Sequence, residues 1–376
     1  MSTEQKIRSW QLFRTFTWLG WIGFGGPAAH IGLMNRELVK LRGWVSEETF
    51  YGLIAFTNLL PGPNSTQLAM AIGYEKAGWR GLWLSGLGFI WPAVLLTGLF
   101  AAGYSAWVDS TLMQGAMLGI QAVLFAVIVW ALLQWGKTIV TRDGFEPWDA
   151  IVLVGFVAAL DRSFGNELIM LAGALGLGIA WKWWKRNQAA EDHMSSMTAG
   201  ISLLQLIWSM TKIGSVLYGS GYVLFPFLKR VFVDEWQVLD LQTISDAIAV
   251  GQLTPGPLFA SATYVGYVLH GVPGAIVATI GIFLPAFLVV ALLIRRLVRW
   301  QQIQWVRDGL EGVQYASFYL LAMMCSDWAL TIFGRWDGIA WVLLGLAMLS
   351  FGLMVKYGVN SVWLLLAGGV LGAFLS

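Results

Sequence analysis

The sequence is poor in charge. Of its 376 residues only 12% are Asp, Glu, Lys or Arg, about half the usual share of a soluble domain. A water-facing surface cannot be built from so few charges, so most of the surface must face lipid. Cysteine is almost absent too: Cys325 stands alone, which excludes a disulfide framework and a thiolate metal cluster. Three His with one Cys cannot assemble the usual zinc site. No Gly-x-x-x-x-Gly-Lys-Ser/Thr run is present, so the chain does not drive itself by nucleotide hydrolysis, and no His-Glu-x-x-His occurs. No catalytic set for proteolysis or redox chemistry is visible, and neither an enzyme nor a cofactor is expected. A net charge of +2 without a basic run gives nucleic acid nothing to hold. Residues 1–14 are polar and basic with no short apolar stretch ahead, so no cleavable signal peptide is expected.

What the chain has in quantity is apolar residues (57%), 22 Trp and 44 Gly. Trp suits the membrane–water boundary, and Gly lets helices approach closely or break. Apolar stretches able to cross or enter a bilayer run over 16–33, 49–75, 80–104, 111–135, 148–162 and 166–184. A polar linker, 185–200, follows. Six more stretches cover 201–227, 243–269, 272–294, 309–332, 338–355 and 359–376. The expected organisation is an N-terminal membrane repeat (1–184), the linker and a C-terminal membrane repeat (201–376).

The two sets are copies. A shift of 194 positions lays Thr17 on Thr211, Gly20 on Gly214, Gly25 on Gly219, Arg36 on Arg230 and Pro61-Gly62-Pro63 on Pro255-Gly256-Pro257. After a one-residue slip, Gly73-Tyr74, Gly78, Gly81, Gly88 and Pro92 fall on Gly266-Tyr267, Gly271, Gly274, Gly281 and Pro285. Loop charges of the copies oppose each other. Arg295, Arg296, Arg299 and Arg307 mark one loop as cytoplasmic, whereas the equivalent loop around Asp109 has no cation. Inverted repeats follow, each with an odd number of crossings. An all-α integral membrane protein is therefore expected, with about ten transmembrane helices and broken, re-entrant hairpins at the Pro-Gly-Pro motifs, which no continuous helix can contain. The same topology places Lys6, Arg8 and Arg14 on the outer side, against the charge rule.

Four backbone breaks fall at membrane depth: Gly25-Gly26-Pro27, Pro61-Gly62-Pro63, Gly219-Ser220-Gly221 and Pro255-Gly256-Pro257. Unwound backbone there is tolerated only inside protein or against a water-filled cavity. Matched interruptions in two halves point to a transporter's binding site. A helix restarting after each break aims free amides and a positive dipole end into the membrane, which suits an anion. The first restart, Asn64-Ser65-Thr66-Gln67, is rich in polar side chains; the second, Leu258-Phe259-Ala260-Ser261, is mostly apolar. Asn58 and Gln252 sit at equivalent positions before the motifs, and Thr254 adjoins the second. A single Pro or Gly would more often be a plain kink, but four paired breaks favour a site. Lys212 is a counter-charge candidate whose alternative is snorkelling to the interface. Arg36 and Arg230 coincide under duplication, and their alternative is a solvated loop. His30 could carry a proton or join two helices by a hydrogen bond. Glu75, Asp246, Glu311 and Asp327 are the acids in or near apolar stretches, Glu75 being the first candidate for proton coupling, with plain interfacial placement as the favoured alternative.

Phe24-Gly25-Gly26-Pro27-Ala28-Ala29-His30 and the run from Asn58 through Pro61-Gly62-Pro63-Asn64-Ser65-Thr66-Gln67 to Gly73-Tyr74 resemble the first copy of the chromate ion transporter family. Tyr218-Gly219-Ser220-Gly221-Tyr222 and Gln252-Leu253-Thr254-Pro255-Gly256-Pro257 resemble its second copy. The resemblance covers nearly the whole chain, in the family's long form. It implies chromate export across the bacterial inner membrane, driven by the proton gradient. The implied partners are chromate or a related oxyanion, protons and the lipid bilayer, and a homodimer is compatible. Transport of sulfate, a similar dianion, is the alternative. A membrane-embedded chromate reductase would need a flavin or thiol site, and an inert scaffold would have no use for paired breaks.

Overall fold

A computed structural model describes residues 9–58, 60–107, 110–140, 201–217, 221–294, 304–333 and 338–374. The stretches 148–162 and 166–184, the linker, and Gly219 and Ser220 lie outside the described residues. Everything described is helix or connection. In the first half α1 (Ser9–Ile22) is followed by α2 (Gly26–Met34), which continues as a π-turn over Asn35–Leu41. Then come α3 (Glu47–Thr57), α4 (Asn64–Trp107) and α5 (Thr111–Val140). The second half begins with α6 (Leu203–Val216), a 3₁₀ turn at Gly221–Val223 and α7 (Leu224–Lys229), which runs into a π-turn over Arg230–Glu235. After α8 (Leu241–Leu253), a 3₁₀ turn at Leu258–Ala260 leads into α9 (Ser261–Leu293). The chain ends with α10 (Gln304–Phe333), α11 (Gly338–Tyr357) and α12 (Ser361–Ala373).

The duplication reaches the backbone torsions. α1 and α6 stop 194 positions apart, and both halves carry a π-turn at the same place. Ala77 and Gly78 have φ/ψ of −145/22 and 57/−143. Their partners under the slip, His270 and Gly271, have −144/23 and 58/−146. These are reversals of the chain, not gentle kinks. A Cβ on Gly81 would stand 1.8 Å from the Gly73 carbonyl oxygen, and one on Gly274 would stand 2.0 Å from that of Gly266. In a straight helix residues eight apart are separated by about 12 Å. α4 and α9 thus each fold into two arms pressed backbone to backbone, and only glycine allows it. The reversals fall in the gaps between the apolar stretches read at 49–75 and 80–104 and at 243–269 and 272–294.

The halves interlock reciprocally. The Gly62 N–H donates to the Leu217 carbonyl at 2.6 Å, and the Gly256 N–H donates to that of Gly23 at 2.7 Å. Gly23 and Leu217 are equivalent positions, as are the two donors. A Cβ on Gly62 would meet Ala286, and one on Gly256 would meet Ala93, again an equivalent pair. Such exchange is the mark of a two-fold relation. α1 packs on α4 and α6 on α9, while α4 and α9 pack on each other at the centre. Their second arms cross antiparallel: Trp83 stacks on Phe287 at 4.7 Å, whereas Tyr104, further along α4, meets Tyr264 of the first arm of α9, which the Gly266–Gly274 contact sets level with the start of the second arm. α10, α11 and α12 pack around α5.

Among the described residues, four segments are long and apolar enough to cross a bilayer: Asn64–Tyr104, Thr111–Lys137, Leu258–Leu293 and Gly338–Tyr357. Leu99, Phe100, Leu288, Leu292, Met348 and Val370 lie on the outside, a surface that suits lipid and would be a liability in water. α1 and α6 have 14 residues each and rise only about 21 Å, less than the roughly 30 Å hydrocarbon layer. The stretch read at 16–33 is in fact two short helices separated by the Gly25-Gly26 break.

The close contact of the arms leads to a direct test. Gly81→Ala or Gly274→Ala should destabilise the detergent-solubilised protein by about 3 kcal/mol or more, since backbone must move. Gly345→Ala, where an added Cβ meets open space in α11, should stabilise by about 0.5–1 kcal/mol. Thermal unfolding followed by loss of the monodisperse species distinguishes the two.

Candidate functional site

Each break ends one helix and starts another. Ser46 caps α3 by accepting from the Thr49 amide at 3.2 Å, and Asp240 caps α8 through Thr243 at 2.8 Å. Both helices then stop before their Pro-Gly-Pro, where Gly62 (φ 118) and Gly256 (φ 102) take backbone conformations that L side chains rarely adopt. Gly25 (φ 102) and Gly26 (φ 78) do the same between α1 and α2. In α4 the first hydrogen bond runs from the Gln67 amide to the Pro63 carbonyl at 2.9 Å. The amides of Asn64, Ser65 and Thr66 come before it and have no intrahelical acceptor.

These starts converge. One cavity of about 10 Å³ is lined by Pro27 and His30 from α2, and by Gly62, Pro63, Asn64 and Ser65 from the first Pro-Gly-Pro and α4. Its remaining walls are Gly221 from the 3₁₀ turn and Pro257, Leu258 and Phe259 from the second Pro-Gly-Pro. Residues of all four breaks meet there, the third represented by Gly221, and among the described residues no Lys or Arg is in the lining. Its volume suits one water molecule, so admitting a larger guest requires the walls to part.

His30 is the hub. It is 1% exposed; Nε2 lies 2.9 Å from the Gly23 carbonyl and Nδ1 lies 3.1 Å from Ser65 Oγ. A carbonyl only accepts, so Nε2 carries the hydrogen. In the neutral ring Nδ1 then accepts from the Ser65 hydroxyl. When the ring is protonated Nδ1 becomes a donor, and the Ser65 hydrogen is released for another acceptor. The Gly23 carbonyl that holds His30 is also the acceptor for Gly256, so the ring is tied to both halves. Gln67 Nε2 donates to the Pro61 carbonyl at 2.6 Å and closes the loop, and Asn64 Nδ2 donates to Asn58 Oδ1 at 3.0 Å. The buried Asn64 Oδ1, Thr66 Oγ1 and Gln67 Oε1 have no hydrogen-bond partner among the described residues. Burying such groups unpaired is costly; of the three residues only Asn64 lines the cavity, while Thr66 and Gln67 lie outside its walls.

The profile of the Chromate transporter family matches residues 10–179 and again 204–373. The chain belongs to the chromate transporter family. It is 32% identical over 291 residues to a probable chromate transport protein of Synechococcus elongatus, covering 74% of each chain. With a chromate transport protein of Cupriavidus metallidurans it shares 30% over 323 residues, 82% of this chain and 79% of the relative. With one of Pseudomonas aeruginosa it shares 29% over 387 residues, 96% and 91% respectively. No solved structure matches.

In this chromate transporter family chain the other residues singled out from the sequence are more scattered. Gly25 lies against Asn360, the N-cap of α12. Gln252 donates to Ser361 at 3.3 Å, and Thr254 bonds Thr97 at 3.4 Å. Pro255 is buried beside Thr254. Lys212 is not in the lining; its ammonium sits over the Trp208 ring, 5.7 Å from the centroid. Arg36 pairs with Glu37 at 3.0 Å and Arg230 with Glu235 at 3.5 Å, both in the π-turns. Glu75 is exposed at the end of the first arm of α4. The sequence reading passed over the environment of Asp246, a fully buried acid contacted by Tyr104 and Gln121. Its place in the middle of an apolar stretch was the available signal; its partners, far away in sequence, gave none.

Glycine replacements separate the breaks that only need the torsion from those that also need the space. Gly26→Ala meets open space and should cost only the left-handed backbone penalty, about 1–2 kcal/mol. Gly256→Ala also drives its Cβ to 2.8 Å from that of Ala93 and should cost about 1–3 kcal/mol more. Unfolding of the two variants in the same detergent measures the difference.

Proposed function

We propose that this protein is a secondary active transporter that exports chromate across the bacterial inner membrane, coupled to protons, with the anion held at the convergence of the four breaks. The observation that carries the reading is that the starts of α2 and α4 and the two 3₁₀ turns of the second half line one cavity, with no Lys or Arg in its walls among the described residues. Each of the two α-helix starts presents about half a positive charge, and the unwound backbone of the two Pro-Gly-Pro breaks adds N–H donors, a setting that suits an anion. The relatives' description as chromate transport proteins supports chromate as the cargo. Amides and hydroxyls are also what a sulfate would meet, so sulfate or another tetrahedral oxyanion is the alternative. His30 links the cargo to protons: protonation adds a charge beside the cavity and frees the Ser65 hydroxyl to donate into it.

In this reading the repeats are inverted, with ten crossings, and α3 and the first arm of α4 form a re-entrant hairpin whose tip is Pro61-Gly62-Pro63. α8 and the first arm of α9 form the second. Opposed loop charges, reciprocal contacts and the antiparallel crossing of α4 and α9 support it. A two-fold axis perpendicular to membrane-crossing helices lies in the membrane plane. The cavity then opens to one face or the other as the halves rock.

Reconstituted protein should take up labelled chromate saturably under a pH gradient. Asn64→Ala should weaken binding by about 1.5–3 kcal/mol, the loss of a hydrogen bond to a charged group. Stronger competition by sulfate than by chromate itself would transfer the assignment to the alternative, and absence of any saturable uptake would remove it. The equivalent N-caps Ser46 and Asp240, both exposed, test inversion. With Cys325 replaced by Ala, Ser46→Cys and Asp240→Cys should react with an impermeant maleimide from opposite sides of the membrane; reaction from the same side would rule out inversion.

A further inference from the structure

Away from the cavity, Asp246 on α8 is 0% exposed. A carboxylate in such surroundings needs a cation, a set of donors or a proton. Its partners are uncharged and come from both halves: the Tyr104 hydroxyl of α4, the Gln121 amide of α5 at 2.8 Å and the Gln242 amide of its own helix at 3.4 Å. Lys229 of α7, a helix packed on α8, is engaged with Asp234 and Asp327 instead. The other titratable groups around it are Tyr264 of α9 and Asp240, the N-cap of α8. Tyr264 packs edge-on to Tyr104 with ring centroids 5.7 Å apart, and its buried hydroxyl has no hydrogen-bond partner among the described residues.

We propose that Asp246 is a reversible proton site and that its occupancy is linked to that of the anion cavity. All three partners reach the carboxylate as donors, an arrangement that satisfies the ionised form. When a proton from water binds a carboxylate oxygen, that oxygen must itself donate. The two amides offer only N–H toward it, so the acceptor is the Tyr104 oxygen, and the Tyr104 hydrogen must turn away. The unpartnered Tyr264 hydroxyl is the neighbouring polar group. The link to the cavity runs along the same two helices. Eight residues after Asp246, Thr254 bonds Thr97 of α4, seven residues before Tyr104, and Thr254 leads directly into Pro255-Gly256-Pro257. A rearranged Asp246–Tyr104 contact therefore shifts the α4–α8 seam that ends at the second Pro-Gly-Pro. Asp246 corresponds to Gly52 in the first half, so the duplication supplies no second acid at the equivalent position. The proposal takes its cargo from the transport reading above, but the proton site itself does not depend on it.

pH-difference infrared spectra of the reconstituted full-length protein, with and without chromate, test it. The wild type should show a protonated-carboxyl band that appears as pH falls and is absent from Asp246→Asn, and chromate should displace its midpoint. Asp246→Asn should still bind chromate yet no longer accumulate it under a pH gradient. Tyr104→Phe, which keeps the acid, should move the midpoint and so guards against misfolding of the first variant. A wild-type spectrum with no Asp246 band that titrates over the physiological range would make the acid structural and overturn the proposal. Titration unaffected by chromate would overturn the linkage. If wild-type protein binds no chromate, the transport reading fails, while the titration still decides the proton site.

Discussion

An amide unwound from its helix and buried in an apolar interior must find an acceptor, and here two of them find it in the other half of the chain. Gly62 donates to Leu217 and Gly256 to Gly23. Each acceptor is the last carbonyl region of a short helix, α6 or α1, that has itself just stopped. The break in one half is thus satisfied by the break in the other, and neither half can present its unwound backbone alone. This mutual requirement draws four chain interruptions, far apart in sequence, to one point. The cavity is a consequence of that accounting as much as of the residues that line it.

Much of this was legible in the sequence, for a physical reason. Glycine and proline are the residues whose backbone demands do not depend on neighbours, so Gly25-Gly26-Pro27 and the two Pro-Gly-Pro motifs announced breaks wherever the chain ran. The duplication was legible because the same demands recur 194 positions later. Side-chain partnerships were not. Lys212 has a charge suited to an anion, yet Trp208, one turn earlier on α6, holds its ammonium instead. His30 read as one option among several, and only the fold shows that its two nitrogens bridge Ser65 and Gly23. Asp246 could be seen to lie in an apolar stretch, but Tyr104 and Gln121 are 142 and 125 residues away, and no periodicity connects them.

The two halves share a backbone and differ in chemistry. Under the duplication Asn64 and Ser65 correspond to Leu258 and Phe259, and His30 to Leu224. The first half therefore brings hydroxyl, amide and imidazole to the cavity while the second brings apolar walls. In the proposed cycle backbone symmetry serves the motion, since two equivalent hairpins can then exchange roles by a small rotation. Side-chain asymmetry serves recognition, since a single guest needs one set of donors and a dry wall against which they act.

The absence of Lys and Arg from the cavity lining has a consequence for turnover. A buried cation opposite a dianion would form a pair that is expensive to separate, because removing one partner leaves the other charged and dehydrated. A carrier must release what it binds, so its attraction has to be strong enough to capture the guest and weak enough to let it go. Partial charges at helix starts meet that condition. They are fixed in place by the backbone, they carry little desolvation cost when the guest leaves, and they lose their common focus as soon as the hairpins separate. The same displacement that opens the cavity also disperses the field that held the anion, so in the proposed cycle release needs no competing cation and no covalent step.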